Sequence, residues 1–494
     1  MTAENVLPVG VLLSSLVPAL IIFLLPEQRH GTRTALNLFA AVTKLVLTAV
    51  IGWGVVHHRR YETRVRFLPG ADLVLHADPF SLLFVTLSAV LWLATTIYAV
   101  GYLEGSPQRS RFFGFFSLCV ASTMGIALAG NLLTFFIFYE MLTLSTYPLV
   151  VHRGTPESLH AGDVYLAYTM TGAALLFAGT ASLYALAGSV EFVAGGSVGP
   201  LVAGHRGALM LIFFALVAGL GVKAALFPLH GWLPLAMVAP APVSALLHAV
   251  AVVKAGAFGI TRVVYDVYGV RVAEELGVMR PLAFVAAATV VFGSVMALAQ
   301  RDLKRRLAYS TVSQVSLIVL GVAIVGTVST IGGVVHLVHQ GLMKITLFFA
   351  AGNLAEKLHV TRVDQMRGVG RRMPLTMLAF TIGALGMIGV PPIAGFVTKW
   401  YLGIGAIEAG ASWAIAILAA STALNAAYFL PLLRDAWFEP AETQGGILAE
   451  EATLSLVLPT VFTATLSIAA GALAASGVSP LAWAKLIATR EYQP

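Results

Sequence analysis

KAALFPLHGWLPLAMVAPAPVSALLHAVAVVKAG, residues 223–256, decides the fold. It sets Lys223, His230, His248 and Lys254 in strongly apolar surroundings, with Pro228, Pro234, Pro240 and Pro242 among them. Apolar segments at roughly 209–227 and 242–262 flank the prolines, each long enough to cross a bilayer. A lysine inside such a segment costs about 2.5–3.5 kcal/mol on insertion scales. Pro228 has no N–H, so the carbonyl of Ala224 is expected to lose its helical partner. In lipid a freed carbonyl must be satisfied by protein or water. The stretch therefore reads as a broken helix with a buried cation beside the break, which is how ion pathways are built inside membranes.

Composition agrees. The 494 residues are 58% hydrophobic and 11% charged, with a mean hydropathy of +0.88. A soluble domain needs a charged surface, commonly about a quarter of its residues, so the class is an all-α polytopic membrane protein. Cys119 is the single cysteine, which excludes an internal disulfide and any cysteine-rich metal or iron–sulfur site. Net charge +7 fits basic loops facing the cytoplasm better than a nucleic-acid partner.

Apolar runs give about fourteen spans, near 6–25, 36–56, 79–100, 112–129, 131–151, 164–188, 208–227, 242–264, 281–299, 306–326, 330–354, 374–404, 411–433 and 452–476. No stretch between them is long enough for a soluble domain. The first span lacks a basic segment before it and is expected to stay in the mature protein. Arg29, Arg33, Arg109, Arg111, Arg153, Arg301, Lys304, Arg305 and Arg306 all fall on one side of this count. The chain is thus expected in the cell (inner or plasma) membrane, with both termini on the outer, periplasmic side.

Five lysines remain inside spans: Lys44, Lys223, Lys254, Lys344 and Lys399. One acid sits deep in a span, Glu140. Ionisable residues within the membrane default to functional roles. Lys223 is the natural partner of Glu140, and the two are expected to form a pair whose proton affinity depends on their separation. The bland alternative, an ion pair that only locks two helices, is a poor way to gain stability. His248 and Lys254 share the eighth span, six residues apart, and point to adjacent sides. In HLVHQGLMKITLFFAAG, His336, Gln340 and Lys344 lie on one helical face, with His339 on a neighbouring stripe. Two histidines could hold a metal. With no cysteine or carboxylate near them, a hydrated proton relay is the better reading, and neither metal nor cofactor is expected. Lys399 follows Pro391 and Pro392 in GMIGVPPIAGFVTKWYL, a second broken span with a buried lysine. Paired interrupted helices five spans apart point to inverted repeats, spans 4–8 and 9–13. Lys44 lies outside both and reads as a peripheral structural contact.

FPLHGWLPLAMVAPAPVSALLHA, DLKRRLAYSTVSQ and MIGVPPIAGFVTKWYL together resemble the proton-pumping, antiporter-like subunits of respiratory complex I, Mrp-type cation/proton antiporters and membrane-bound hydrogenases. The resemblance covers the third to the thirteenth span. It implies fourteen helices with two inverted five-helix repeats, broken in the seventh and twelfth spans. The divisions would be 1–111 (first three spans), 112–264 (first repeat), 265–433 (second repeat) and 434–494 (fourteenth span and tail). It implies a mid-membrane proton pathway in which Glu140, Lys223, His248, Lys254, Lys344 and Lys399 match the family's charged positions. Gln340 departs from the histidine that many members carry one turn before the eleventh-span lysine, so relay there is expected to use His339 or water. Lys399, and the absence of a long lateral helix after the fourteenth span, look like the D-type member of Mrp antiporters. A proton-pumping subunit of a complex I-like or hydrogenase-type complex is the alternative. The partners implied are other membrane subunits and the lipid bilayer, and the cargo is protons, with or without sodium. A quinone- or metal-binding enzyme is disfavoured by the missing cysteine clusters and soluble domains, and a solute permease by mid-span polar residues that are mostly lysine and histidine.

Overall fold

The computed structural model describes residues 3–68, 71–440 and 450–492. Ala3–Leu24 (α1) and His30–Val56 (α2) lead into an antiparallel hairpin of Tyr61–Leu68 (β1) and Ala71–Ala77 (β2). Next come Pro79–Tyr102 (α3), Arg109–Ala127 (α4), Leu132–Val150 (α5), Pro156–Ala187 (α6) and Val202–Lys223 (α7). Trp232–Leu235 (α8), Ala241–Ala249 (α9), Val252–Arg262 (α10) and Val270–Glu275 (α11) follow. Met279–Ala299 (α12), Leu303–Ala323 (α13), Thr327–Leu358 (α14) and Val369–Arg372 (α15) come after them. Pro374–Ile388 (α16), Ala394–Glu408 (α17), Trp413–Phe438 (α18), Leu454–Ala472 (α19) and Pro480–Tyr492 (α20) complete the chain.

Among the described residues, thirteen helices are long and apolar enough to cross a membrane, and the shorter apolar α16 continues across a break into α17 as the twelfth expected span. The fourteen expected spans are therefore all present, in a multi-pass membrane protein. Two features were not expected. The polar loop between α2 and α3 folds into the β1–β2 hairpin, so the chain is nearly rather than wholly helical. The tail after α19 carries a further helix, α20.

Side chains at the helix ends set the boundaries. Asp78 accepts from Ser81 N (2.7 Å) to cap α3, Asn131 from Thr134 N (2.8 Å) to cap α5, and Asp302 from Arg305 N (2.7 Å) to cap α13. Large apolar side chains on the periphery stay exposed, such as Phe39 on α2, Leu211 on α7 and Phe284 on α12. On a soluble protein they would be a liability; on helices apolar enough to cross a membrane they are in keeping with the class. By contrast α10 is buried throughout, and so is α14 from Ser329 to Leu354. The α14 helix is the axis, against which α3, α9, α13, α16, α17, α19 and α20 all pack.

The packing of the first half recurs in the second. The α4–α5 contact has its counterpart in α12–α13, α5–α6 in α13–α14, α6–α7 in α14–α17, and α7–α10 in α17–α18. Both halves contain an interrupted helix. The α7 helix stops at Lys223, short of Pro228, and Ala225 takes φ +56 in the left-handed region. Such a conformation costs a non-glycine residue of order 1 kcal/mol. The carbonyls there are taken up internally: Leu226 N donates to Gly221 O (3.0 Å) and Trp232 Nε1 to Val222 O (2.8 Å). Gly256 on α10 lets that helix touch the break, since a Cβ there would lie 2.2 Å from Ala224 N. In the second half α16 ends at Ile388, and Gly389 turns the chain at φ +97.

Candidate functional site

The row of ionisable side chains begins on α5 and α7. Lys223, fully buried at the last turn of α7, donates its ammonium to the Tyr139 carbonyl and sits over the Tyr139 ring, 3.3 Å from its centroid. Glu140 is the next residue, half-buried, and its Oε1 is buried without a hydrogen-bond partner among the described residues. The expected direct pair is thus not formed: no ion pair within 4.0 Å joins Glu140 to Lys223. A main-chain carbonyl and an aromatic face together satisfy the ammonium. Tyr139, which sequence reasoning passed over, is the residue that holds Lys223. Its position beside the only mid-span acid was the available signal.

His248 and Lys254 do not share one helix. The eighth span is broken between them at Val250 (φ −125, ψ −52) and Ala251 (φ −100, ψ −84), so His248 ends α9 and Lys254 opens α10. No proline or glycine marks this break, which is why the sequence reads as continuous. Both ring nitrogens of His248 lack a hydrogen-bond partner among the described residues, and its ring lies 4.5 Å from that of Phe348 on α14. Lys254 Nζ is likewise buried with no partner among them. Lys304, from the basic start of α13, donates to Ala239 O (2.6 Å).

On α14, Lys344 donates to Leu307 O (3.0 Å) and to the Ser310 hydroxyl, both on α13. Phe348, the neighbour of His248, is one turn further along the same face. Gln340 is buried, and neither amide atom has a partner among the described residues. His336 and His339 converge: Nδ1 of each lies within hydrogen-bond reach of Thr398 Oγ1, at 3.2 and 2.9 Å. His339, on the neighbouring stripe, thus reaches the same hydroxyl as His336, since i and i+3 are neighbours on a helix. Both Nε2 atoms are buried and unpartnered among the described residues.

Lys399 closes the row. Its Nζ donates to Ile388 O (2.7 Å) and Thr422 Oγ1 (2.8 Å), while Asn425 Nδ2 donates to Met387 O (2.8 Å). The carbonyls freed by Pro391 and Pro392 are thus satisfied by side chains of α17 and α18. Gly389 makes the room, since a Cβ there would lie 2.8 Å from Lys399 Cδ. Lys44 stands apart, its Nζ 4.0 Å from the centre of the Trp92 ring and without a hydrogen bond among the described residues.

A second charged group lies where α3 begins and α10 ends. Arg262 Nη1 donates to Asp78 Oδ2 and Asp266 Oδ2 (both 2.7 Å), and Nη2 to Asp78 Oδ1 and Ser81 Oγ (both 2.9 Å). Arg490 of α20 reaches Asp78 Oδ2 (2.8 Å) and Asp266 Oδ1 (2.6 Å). Sequence reading counted lysines and a lone acid in the spans and left Arg262 out, because its partner Asp78 is distant in the chain. Burial pushes the Asp78 carboxyl up, but Arg262 and Arg490 overcome this and hold it well below the usual carboxylate range. Glu491, beside them, is pushed up to about 7 by burial and by Asp266, against the pull of Arg490 and Arg262.

These features define an antiporter-like membrane subunit. Residues 129–425, more than half of the chain, match the family described as NADH:quinone oxidoreductase/Mrp antiporter, TM, and the chain belongs to it. It is 39% identical over 378 residues to the N subunit of the NADH-quinone oxidoreductase of Desulforudis audaxviator, covering 75% of this chain and 73% of that one. It is 30% identical to the D-type component of the Na(+)/H(+) antiporter of Bacillus subtilis, covering 68% of each. Its fold matches a chain of the Mrp complex from Dietzia sp. at a TM-score of 0.85, with 23% identity and coverage of 100% and 98%.

Proposed function

We propose that this subunit translocates protons along a mid-membrane row running Glu140, Lys223, His248, Lys254, Lys344, then His336, His339 and Lys399, as part of a complex with other membrane subunits. The observation that carries the reading is the succession of buried amines and imidazoles held by neutral acceptors or by none. Lys223, Lys344 and Lys399 donate to carbonyls and hydroxyls, and Lys254 and His248 have no partner among the described residues. A structural ion-pair network would have matched such cations with carboxylates. The repeats 112–264 and 265–433 are the two half-pathways, each opening at its helix break. Lys223 is read as alternating between the Tyr139 carbonyl and the Glu140 carboxylate. At 4 Å an ion pair is worth about 4 kcal/mol at an effective dielectric of 20, enough to move a buried amine between protonation states.

Two energy sources fit. Sodium/proton exchange in an Mrp-type antiporter is the reading from the motifs. The higher identity to a quinone oxidoreductase subunit than to an antiporter component supports redox-driven pumping. Inverted membrane vesicles separate them: a proton gradient dissipated by added sodium means exchange, and one built on adding electron donor means redox pumping. The proposed orientation, termini outside, puts the β1–β2 hairpin and α20 on the outer side.

In either setting Glu140→Gln and Lys223→Ala are each expected to lower coupled proton transport by about 10²-fold or more, a usual scale for losing a proton-transfer group, while the complex still assembles. Wild-type transport in either variant at equal abundance would remove that pair from the pathway. Lys44→Met is expected to do the opposite, keeping transport and leaving stability equal or higher, because an unpaired buried ammonium is replaced by an apolar chain of similar length. A loss of transport would bring Lys44 into the row.

A further inference from the structure

We infer that the Thr398 hydroxyl is a proton-relay element that links His336 to His339. The inference rests on the proposed reading of the row as a proton pathway. A hydroxyl has one proton to donate and two lone pairs to accept with. Thr398 Oγ1 lies 3.2 Å from His336 Nδ1 and 2.9 Å from His339 Nδ1. It can donate to only one ring, so the other must present Nδ1–H to it. Two arrangements satisfy the trio equally well, and they differ by two protons moved along two hydrogen bonds.

The step balances without any other reactant. His336, as imidazolium, gives its Nδ1 proton to Thr398 Oγ1. In the same event Oγ1 gives its own proton to Nδ1 of His339. The N–H and O–H bonds broken are replaced by an O–H and an N–H bond formed, and one positive charge moves from ring to ring. Both Nε2 atoms, buried and without partners among the described residues, are the ends at which a proton enters and leaves. The step leaves His336 protonated at Nε2 and, once His339 has released its Nε2 proton, His339 protonated at Nδ1, so both rings must exchange tautomer and the hydroxyl must rotate before the next proton passes.

The placement follows from the second break. All three residues are fully or almost fully buried, where bulk water does not compete for the hydroxyl. Thr398 lies on the first turns of α17, immediately before Lys399. One short helix thus carries both the bridging hydroxyl and the amine that closes the row, and a small movement of α17 at Gly389–Ile393 would make or break the bridge.

A purely structural hydroxyl, pinning α17 to α14, makes a different prediction, and three substitutions separate the two. Thr398→Ser keeps a hydroxyl and is expected to keep proton transport near wild type. Thr398→Val keeps the shape without the hydroxyl and is expected to lose about 10²-fold. Thr398→Asn can donate to one ring and accept from the other, so it still pins the helices, but an amide does not pass a proton on; it is expected to fail like valine. Transport is measured in membranes with matched amounts of assembled complex. Wild-type transport in Thr398→Val or Thr398→Asn overturns the relay, and so does failure of Thr398→Ser. If Thr398→Val does not assemble, the serine and asparagine variants decide alone. Lys399→Ala is run in parallel. Full transport by Lys399→Ala would sink the pathway reading itself, whereas a dead Lys399→Ala beside an active Thr398→Val would sink only the relay.

Discussion

Lys399→Ala is expected to stop proton translocation, lowering it by about 10²-fold or more in assembled complex, and Lys399→Arg is expected to fail nearly as badly. The reason lies in what surrounds the amine. Its two partners, Ile388 O and Thr422 Oγ1, are neutral, and among the described residues no carboxylate lies within 4.0 Å of it. Nothing there locks the side chain in its charged form, and the neutral amine can still donate to the same carbonyl. Arginine would keep the charge but does not release its proton, so it separates a titrating role from a fixed positive charge. Lys399→Glu is expected to retain part of the activity, since a carboxyl can also load and release a proton and, when protonated, can donate a hydrogen bond. Gly389→Ala is a test from the other side. It places a methyl 2.8 Å from Lys399 Cδ at a residue with φ +97, so it displaces the amine and strains the turn. Transport by Lys399→Arg equal to wild type would make Lys399 a fixed charge and end its role as a proton carrier.

The spans, the two proline-marked breaks and the lysine row were legible because each rests on local chemistry. An apolar run of some twenty residues needs no partner to be recognised, and Pro228, Pro391 and Pro392 interrupt a helix wherever they stand. What was not legible depends on contacts between distant segments. The break at Val250–Ala251 has no glycine or proline; the alternative geometry there comes with α14, whose Gly341 would meet the Ala249 carbonyl at 3.0 Å if it carried a Cβ. Thr398 gave no signal of its own, since threonine is common in membrane helices, and only the folded positions of His336 and His339 single it out. Glu140 and Lys223 were expected as a direct pair, and spacing cannot say that the Tyr139 carbonyl takes the ammonium instead. The arginine cluster was hidden for the same reason: Asp78 and Arg490 are 412 residues apart in sequence and 2.8 Å apart in the fold.

That cluster carries the other large effect. Arg262 is 1% exposed and holds Asp78 with two parallel hydrogen bonds while also reaching Asp266. Arg262→Ala would leave two buried carboxylates facing Arg490 alone. Removing one partner of such a buried pair costs about 3–5 kcal/mol, comparable to much of a protein's net stability. The expected outcome is little assembled protein, seen as low abundance in the membrane and a lowered melting temperature after solubilisation. Arg262→Lys should recover only part, because a single ammonium cannot reproduce the planar fork. The pH response of the same cluster has a definite sign. Asp78 titrates below its ordinary range, so its contribution is present above that range and is lost in acid. Glu491 is an acid pushed the other way, to about 7, so its ionised form in the fold is a cost absent below about pH 4.5 that grows as pH rises towards 7 and is complete above it. Glu491→Gln removes that cost. It should raise the stability of α20 docking at pH 8 by on the order of 1–3 kcal/mol and change nothing below about pH 4.5. Protection of the α20 amides from hydrogen exchange, compared at the two pH values, reads this directly. Equal protection in wild type and Glu491→Gln at pH 8 would mean that Glu491 stays ionised at no cost, and an Arg262→Ala protein that assembles and melts like wild type would mean that the cluster does not hold α20 to the start of α3 and the end of α10.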